Sequence, residues 1–101
     1  MGENIRIHRS SKLYGRTSVG EGTVIMENVT LGYPEHRVLM EIIKQGIEIE
    51  DHDHPGTTIG RDSFIRAGTT IFSNVKTGNG FKTGHNAMIR ENTSIGNSVL
   101  V

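Results

Sequence analysis

The amino-acid sequence is dominated by a six-residue period in its aliphatic residues. Ile, Leu or Val occupies eleven of thirteen positions that lie six residues apart on either side of one interruption. The thirteen positions are Ile7, Leu13, Val19, Ile25, Leu31, Ile59, Ile65, Ile71, Thr77, Thr83, Ile89, Ile95 and Val101. An α-helix has a period of about 3.6 residues and a plain strand a period of two, so neither explains this spacing. Short parallel strands that stack and bury one continuous inner row do explain it, and the period predicts a parallel β-helix.

A second register lies three residues after the aliphatic positions, from Val19 onward. Outside the interruption it holds Gly, Asn or Asp at every unit except the last, which has Ser98. The residues are Gly22, Asn28, Asp62, Gly68, Asn74, Gly80, Asn86 and Asn92. Because Gly, Asn and Asp enter the left-handed backbone region at the lowest cost, this register predicts a corner once every six residues.

A third register holds small or β-branched residues four positions after the aliphatic sites, with Phe81 as the exception. Phe81 lies between Thr77 and Thr83, which are the two smaller members of the inner row. We interpret the oversized ring and the two undersized neighbours as volume compensation within the core.

The repeat unit aliphatic-Gly-x-x-small-x, found at residues 59–64 and 83–88, resembles that of the hexapeptide-repeat acyltransferase family. The resemblance covers residues 7–32 and 57–101 and extends over all three registers. It implies an all-β fold, namely a left-handed parallel β-helix with three hexapeptides per coil and about four coils. The handedness is implied by the resemblance alone.

One interruption divides the repeat, since Leu31 and Ile59 are 28 residues apart. We predict that residues 33–56 form an inserted loop that leaves the β-helix at one corner, within a single β-helix domain spanning 1–101. Pro34 and Gly46 suit the two ends of a short helix over 35–45. Residues 47–50 alternate in polarity like a strand. The segment 98–101 ends in the apolar residues Val99, Leu100 and Val101 in the middle of a repeat unit, which leads us to expect that further C-terminal coils are missing.

Composition limits the compartment and the partners. The 11 basic and 11 acidic side chains cancel, which removes the electrostatic argument for a nucleic acid as main partner. The chain has no run of 18 apolar residues, and we expect no membrane partner. The sequence contains no cysteine, which excludes disulfides, thiolate catalysis and a Cys-ligated metal. We therefore expect a cytoplasmic protein.

His85 is the candidate catalytic residue. It lies two positions after Thr83, at an outward corner of the repeat, and enzymes of the resembled family use a histidine on such a surface as general base. An imidazole suits this task at neutral pH. The alternative interpretations are an exposed turn histidine and a metal ligand. Asn86 beside it is a candidate substrate-binding residue, although its corner register favours a structural role.

Residues 51–55 contain a second constellation, Asp-His-Asp-His-Pro. His52 and His54 are candidate substrate-binding residues on a loop that covers the site. Two alternatives stay open: a solvated loop, and a zinc site formed with a carboxylate, because His-x-His in an extended segment points both rings to one side. We expect no metal, since a third histidine would have to come from elsewhere in the chain.

Four basic residues, Arg66, Lys76, Lys82 and Arg90, occupy outward positions of the repeat. Lys76, Lys82 and Arg90 are the candidate cofactor-binding residues, because they could meet the phosphates of coenzyme A. The alternative is a solvated charged face.

The resemblance implies an acyltransferase that moves an acyl group, most simply acetyl, from acyl-CoA to an amine or hydroxyl of a sugar or nucleotide-linked amino sugar. It also implies a homotrimer with sites between neighbouring subunits. Two alternatives come from other classes of protein. One is a non-catalytic β-helix scaffold or fragment, and the other is a metal-dependent hydratase similar to the γ-class carbonic anhydrases.

Overall fold

The computed structural model describes residues 4–101. Within this range the chain forms short strands, one α-helix and one 3-10 helix. The strands are β1 (Arg6–Ile7), β2 (Lys12–Leu13), β3 (Arg16–Val19), β4 (Val24–Ile25), β5 (Thr30–Tyr33), β6 (Pro55–Ile59), β7 (Phe64–Ile65), β8 (Thr70–Phe72), β9 (Val75–Thr77), β10 (Met88–Ile89) and β11 (Ser94–Ile95). The α-helix α1 (His36–Gln45) and the 3-10 helix (Ile49–Asp51) lie between β5 and β6.

The strands form three parallel sheets that the chain visits in rotation. Sheet A has the order β1-β4-β7, sheet B has the order β10-β8-β5-β2, and sheet C has the order β11-β9-β6-β3. We call one passage through the three sheets a circuit. Successive circuits stack, so each strand pairs with strands of the circuits before and after it.

The stacking follows the predicted aliphatic register. In sheet A, Ile7 pairs with Ile25 and Ile25 with Ile65. In sheet B the inner row is Leu13, Leu31, Ile71 and Ile89. In sheet C, Val19 pairs with Ile59 and Thr77 with Ile95. The paired residues are therefore all members of the aliphatic register that the six-residue period predicted.

The core lies between the three sheets and consists of the inner rows together with the small residues that follow the corners. Its fully buried members include Ile25, Leu31, Ile65 and Ile71, each at most 1% exposed. Burying an aliphatic side chain of this size contributes about 1.5–3 kcal/mol. Phe81 is also fully buried.

The undersized members of the inner row are held by hydrogen bonds as well as by packing. Thr83 is 2% exposed, and its hydroxyl accepts a hydrogen bond from the backbone N–H of Arg66 at 3.0 Å. The Thr69 and Thr83 hydroxyls lie 3.2 Å apart. Buried side-chain polar atoms within residues 4–101 all have a partner, so hydrogen bonds offset the cost of removing these hydroxyls from water.

The predicted corners are confirmed. Positive φ angles occur at every residue of the predicted Gly, Asn and Asp register and at its exception, Ser98. Asn74 and Asn86, for example, have φ of 57° and 56°. Gly15, Gly32 and Asn4 add positive φ angles that the register did not predict.

The interruption contains the helical part of the fold. The helix predicted over 35–45 is confirmed as α1, and Gly46 ends it in the left-handed conformation with φ of 69°. Ile42 is its one buried residue, at 1% exposure. The predicted strand at 47–50 is wrong: no sheet edge pairs with it, and backbone N–H groups of Asp51 and His52 instead close turns onto Glu48 and Ile49. The interruption is also slightly shorter than predicted, because Tyr33 belongs to β5 and Pro55 to β6.

The predicted fold class is wrong. The chain is not an all-β left-handed β-helix but a small α/β fold with three parallel sheets and one α-helix. The physical reason lies in the interruption, where one-sided apolar residues form a ten-residue helix and bury Ile42. The period describes the strands and contains no information about this segment.

Candidate functional site

The predicted catalytic residue, His85, lies at the corner between sheets A and B. Thr83, two residues earlier, is buried, whereas the side chain of His85 is exposed. The corner is ordered by Asn86, whose φ is 56° and whose backbone N–H donates to the Ala67 carbonyl at 3.0 Å. Asn86 therefore has the structural role that its register indicated, and its side chain lies over Gly68 of the preceding circuit.

The three predicted cofactor-binding residues lie on three different sheets. Lys76 is an exposed residue of β9 in sheet C, and Arg90 follows β10 in sheet B. Lys82 forms isolated bridges with Phe64 of sheet A and with Leu100. Within one chain the structure does not bring these three cations together. Arg90 is also engaged elsewhere, because its guanidinium lies 4.5 Å from the centre of the Phe72 ring and bonds to Glu91 at 2.9 Å.

His52 and His54 form a hydrogen-bonded pair at the corner between sheets B and C. The two Nδ1 atoms lie 3.1 Å apart, and the ring centres are 5.3 Å apart. His54 is 3% exposed, and its Nε2 lies 3.0 Å from the carbonyl oxygen of Gly32. His52 is half-buried.

The Gly32 carbonyl determines the tautomers of the neutral pair. A carbonyl oxygen only accepts, so Nε2 of His54 carries the proton. The Nδ1 atom of neutral His54 is then an acceptor, and Nδ1 of His52 must donate to it. This leaves Nε2 of His52 as an unprotonated nitrogen whose ring is oriented by two successive hydrogen bonds.

Gly15 makes room for the His54 ring. A methyl group at Gly15 would lie 2.8 Å from Cδ2 and 2.9 Å from Nε2 of His54. Gly15 also has a φ of 62°, which disfavours other residues there. The chain is fixed nearby by the bond from the Arg16 N–H to the His54 carbonyl at 2.9 Å and by the exposed ion pair between Arg16 and Asp53 at 3.1 Å.

Two adjoining cavities flank the segment that contains His54. One, of 220 Å³, is lined by His54, Pro55, Asn74 and residues of the α1 region. The other, of 300 Å³, is lined by Arg16, Lys76 and again by Pro55 and Asn74. The predicted substrate-binding residue His54 and the predicted cofactor-binding residue Lys76 therefore line neighbouring cavities at one corner.

A third cavity, of 410 Å³, lies beside β7, the edge strand of sheet A, and is lined by Phe64, Arg66, Lys82, Thr83, Gly84 and Leu100. His85 directly follows Gly84, which lines this cavity. His85 and the histidine pair therefore lie at different corners, and one chain does not bring them together.

An aromatic ladder that sequence inspection missed runs across the outer face of sheet B. The rings of Tyr14 and Tyr33 meet edge to face at 5.9 Å, and those of Tyr33 and Phe72 at 5.8 Å. The sequence does contain a signal for this ladder. Tyr14 and Phe72 directly follow the inner-row residues Leu13 and Ile71, and Tyr33 follows Leu31 after the one-residue irregularity in β5. Burial raises the pKa of the Tyr14 hydroxyl, and the nearby charge of Glu50 and the neighbouring Tyr33 raise it further.

No group of three or more His, Asp or Glu side chains that could hold a metal ion occurs in the part of the chain that the structure describes. The His52–His54 pair alone does not supply the three protein ligands of a catalytic zinc site. In residues 4–101 no helix is both long and apolar enough to cross a bilayer.

Comparison of the chain with protein-family models, with curated proteins and with solved structures finds no match.

Proposed function

We propose that the chain is a subunit of a CoA-dependent acyltransferase that moves an acetyl or similar acyl group to an amine or hydroxyl of a sugar or nucleotide-linked amino sugar. The observation that carries this proposal is the corner between sheets B and C. There Lys76 lines one cavity, and His54, whose ring is hydrogen-bonded to that of His52, lines the neighbouring one. The resemblance of the repeat supplies the acyl-CoA donor and the class of acceptor.

The proposed reaction is direct attack of the acceptor nitrogen or oxygen on the thioester carbonyl carbon. The new bond forms as the carbon–sulfur bond breaks, an imidazole takes the proton of the nucleophile, and CoA leaves as a thiolate that is then protonated. Backbone N–H groups would stabilise the developing oxyanion. Without cysteine no thiol nucleophile is available, and no covalent enzyme intermediate is needed.

Two imidazoles are candidates for the proton acceptor. His85 is the candidate from the sequence, supported by its exposure on an ordered corner. His52 is the candidate from the structure, supported by its hydrogen bond to His54. The cations predicted to bind the donor fall on three sheets, so the proposal includes a homotrimer in which neighbouring subunits bring such residues together. The proposed compartment is the cytoplasm.

The experiment is an assay of CoA release from acetyl-CoA, detected with a thiol reagent, with glucosamine and a panel of other amino and hydroxy sugars as acceptors. Lys76→Ala should raise the KM for acetyl-CoA about fivefold, which corresponds to one charged contact of about 1 kcal/mol. Lys12→Ala is the matched control, because Lys12 is another exposed strand lysine, on sheet B. Absence of acceptor-dependent CoA release across the panel would contradict the proposed function, and a monomer in light scattering would contradict the trimer.

A further inference from the structure

The inserted segment holds the imidazole of His52 through a second, buried imidazole, whereas the ring of His8 in the repeat bonds only to the neighbouring, exposed Ser10. His52 is half-buried, and its ring is fixed by a hydrogen bond to His54, which is itself fixed by the Gly32 carbonyl. The structure gives His85 no comparable pair of hydrogen bonds within residues 4–101. An activated base is recognised by such a third group that orients it.

We infer that His52 is the proton acceptor of the proposed acyl transfer and that His54 is its positioning residue. The inference rests on the proposed function, because the proton comes from the acceptor that attacks the thioester. His54 holds His52 in the tautomer with hydrogen on Nδ1, so that Nε2 of His52 carries the lone pair.

The chemistry of the step balances within this pair. As the acceptor amine or hydroxyl attacks, its proton passes to Nε2 of His52, which becomes a cationic imidazolium. The Nδ1–H of this cation still donates to Nδ1 of His54, and a hydrogen bond from a charged donor is stronger than a neutral one. The imidazolium then gives its proton to the departing CoA thiolate, or to solvent, and returns to the starting tautomer.

Burial explains why the positioning residue is itself well fixed. His54 is 3% exposed, and its ring packs against Gly15, where any side chain would collide with it. The sequence analysis predicted that both His52 and His54 bind the substrate. The geometry separates them into a buried anchor and a half-buried base.

The first test measures the tautomers directly by long-range nitrogen–proton NMR of the whole 15N-labelled protein at pH 8. We expect the signature of hydrogen on Nε2 for His54 and of hydrogen on Nδ1 for His52. A mixture of tautomers at both residues, as in free histidine, would overturn the inference whether or not the protein transfers acyl groups.

The second test compares kinetics of CoA release. His52→Ala should lower kcat by about 10²–10⁴-fold with little change in acetyl-CoA KM, since a positioned general base contributes that factor. His36→Ala is the matched control, because His36 is exposed on the same inserted segment. If His85→Ala abolishes turnover while His52→Ala retains it, the inference fails and the proposed function stands.

The positioning role is tested by two substitutions at one site. His54→Phe keeps a ring but removes both nitrogens, and we expect kcat to fall at least tenfold with the NMR signal of His52 shifting toward mixed tautomers. His54→Asn keeps an oxygen that can accept from Nδ1 of His52, and we expect it to restore part of kcat. Thermal unfolding of both variants checks folding, and equal turnover of the two at equal stability would overturn the role of His54.

Two further outcomes have defined meanings. If the wild-type protein releases no CoA with any acceptor, the proposed function fails and the assignment of His52 as its base falls with it, whatever the tautomers. If Zn²⁺ alone, added to the wild-type protein, binds stoichiometrically at His52 and His54 in the same NMR experiment, the pair is a metal site and the inference is overturned.

Discussion

A column of stacked glycines gives the most direct test of the observed packing. Gly60, Gly78 and Gly96 each directly follow the inner row of sheet C in successive circuits. A methyl group at Gly60 would lie within 3.0 Å of the Gly78 carbonyl and the Asn79 nitrogen. A methyl group at Gly96 would meet nothing within 4 Å. Gly60→Ala and Gly96→Ala are therefore the same substitution at equivalent positions of the repeat. Gly60 has the next circuit packed against it, and Gly96 does not.

The magnitude follows from two opposing terms. Gly→Ala at a compatible site stabilises by about 0.4–1 kcal/mol, because the unfolded chain loses freedom. Overpacking costs about 1–3 kcal/mol, and the upper value applies at Gly60 because the colliding atoms are backbone and cannot rotate away. We expect Gly60→Ala to lower the free energy of unfolding by about 2 kcal/mol. Gly96→Ala should leave it unchanged or raise it by about 0.5 kcal/mol.

The assay is urea unfolding followed by far-UV circular dichroism at equal protein concentrations, since stability of an oligomer depends on concentration. Unchanged m-values would show that only stability has changed. Equal free energies of unfolding for the two variants would refute the tight stacking of the circuits at this corner.

Two further predictions concern the corners and the aromatic ladder. Asn74→Val and Asn86→Val should each destabilise by about 1–2 kcal/mol in thermal unfolding while Asn→Gly is tolerated, because a β-branched residue resists their positive φ; equally stable Val variants would contradict the corner assignment. Because the pKa of Tyr14 is raised, the folded protein keeps the hydroxyl proton of Tyr14 at a pH where the unfolded chain loses it. The contribution of this group to the free energy of unfolding is therefore complete below the ordinary pKa of 10.0 and is lost as pH rises through the folded pKa. An absorbance titration near 295 nm should show one tyrosine ionising late, and Tyr14→Phe should remove that late step; if the step persists, the assignment to Tyr14 is wrong.

The sequence determined the strands and corners because both depend on neighbours a fixed distance away along the chain. Ile71 is apolar because its position in the six-residue repeat faces the core. Asn86 is at a corner because few residue types accept its positive φ. Where the repeat stops, this information stops as well. The helix end at Gly46 was still predictable, since local turn chemistry marks it.

The candidate site was predictable only as a set of residue types. His52 and His54 stand out in the sequence, but their different roles depend on Gly32, which is 22 residues away from His54. Gly32 reaches His54 because β5 of sheet B and β6 of sheet C meet at one corner. His85 stands out equally, and nothing local shows that it lies at another corner. The predicted all-β class was wrong because it was based on the repeat alone, whereas helix α1, whose ends Pro34 and Gly46 indicated, lies outside the repeat.

The sequence by itself thus determined which residues face inward and where the backbone turns, because period and steric preference are local properties. Only the tertiary structure decided which histidine is buried against a carbonyl and which one keeps a free nitrogen. Burial and hydrogen-bond partners depend on segments that are distant in the chain and adjacent in space.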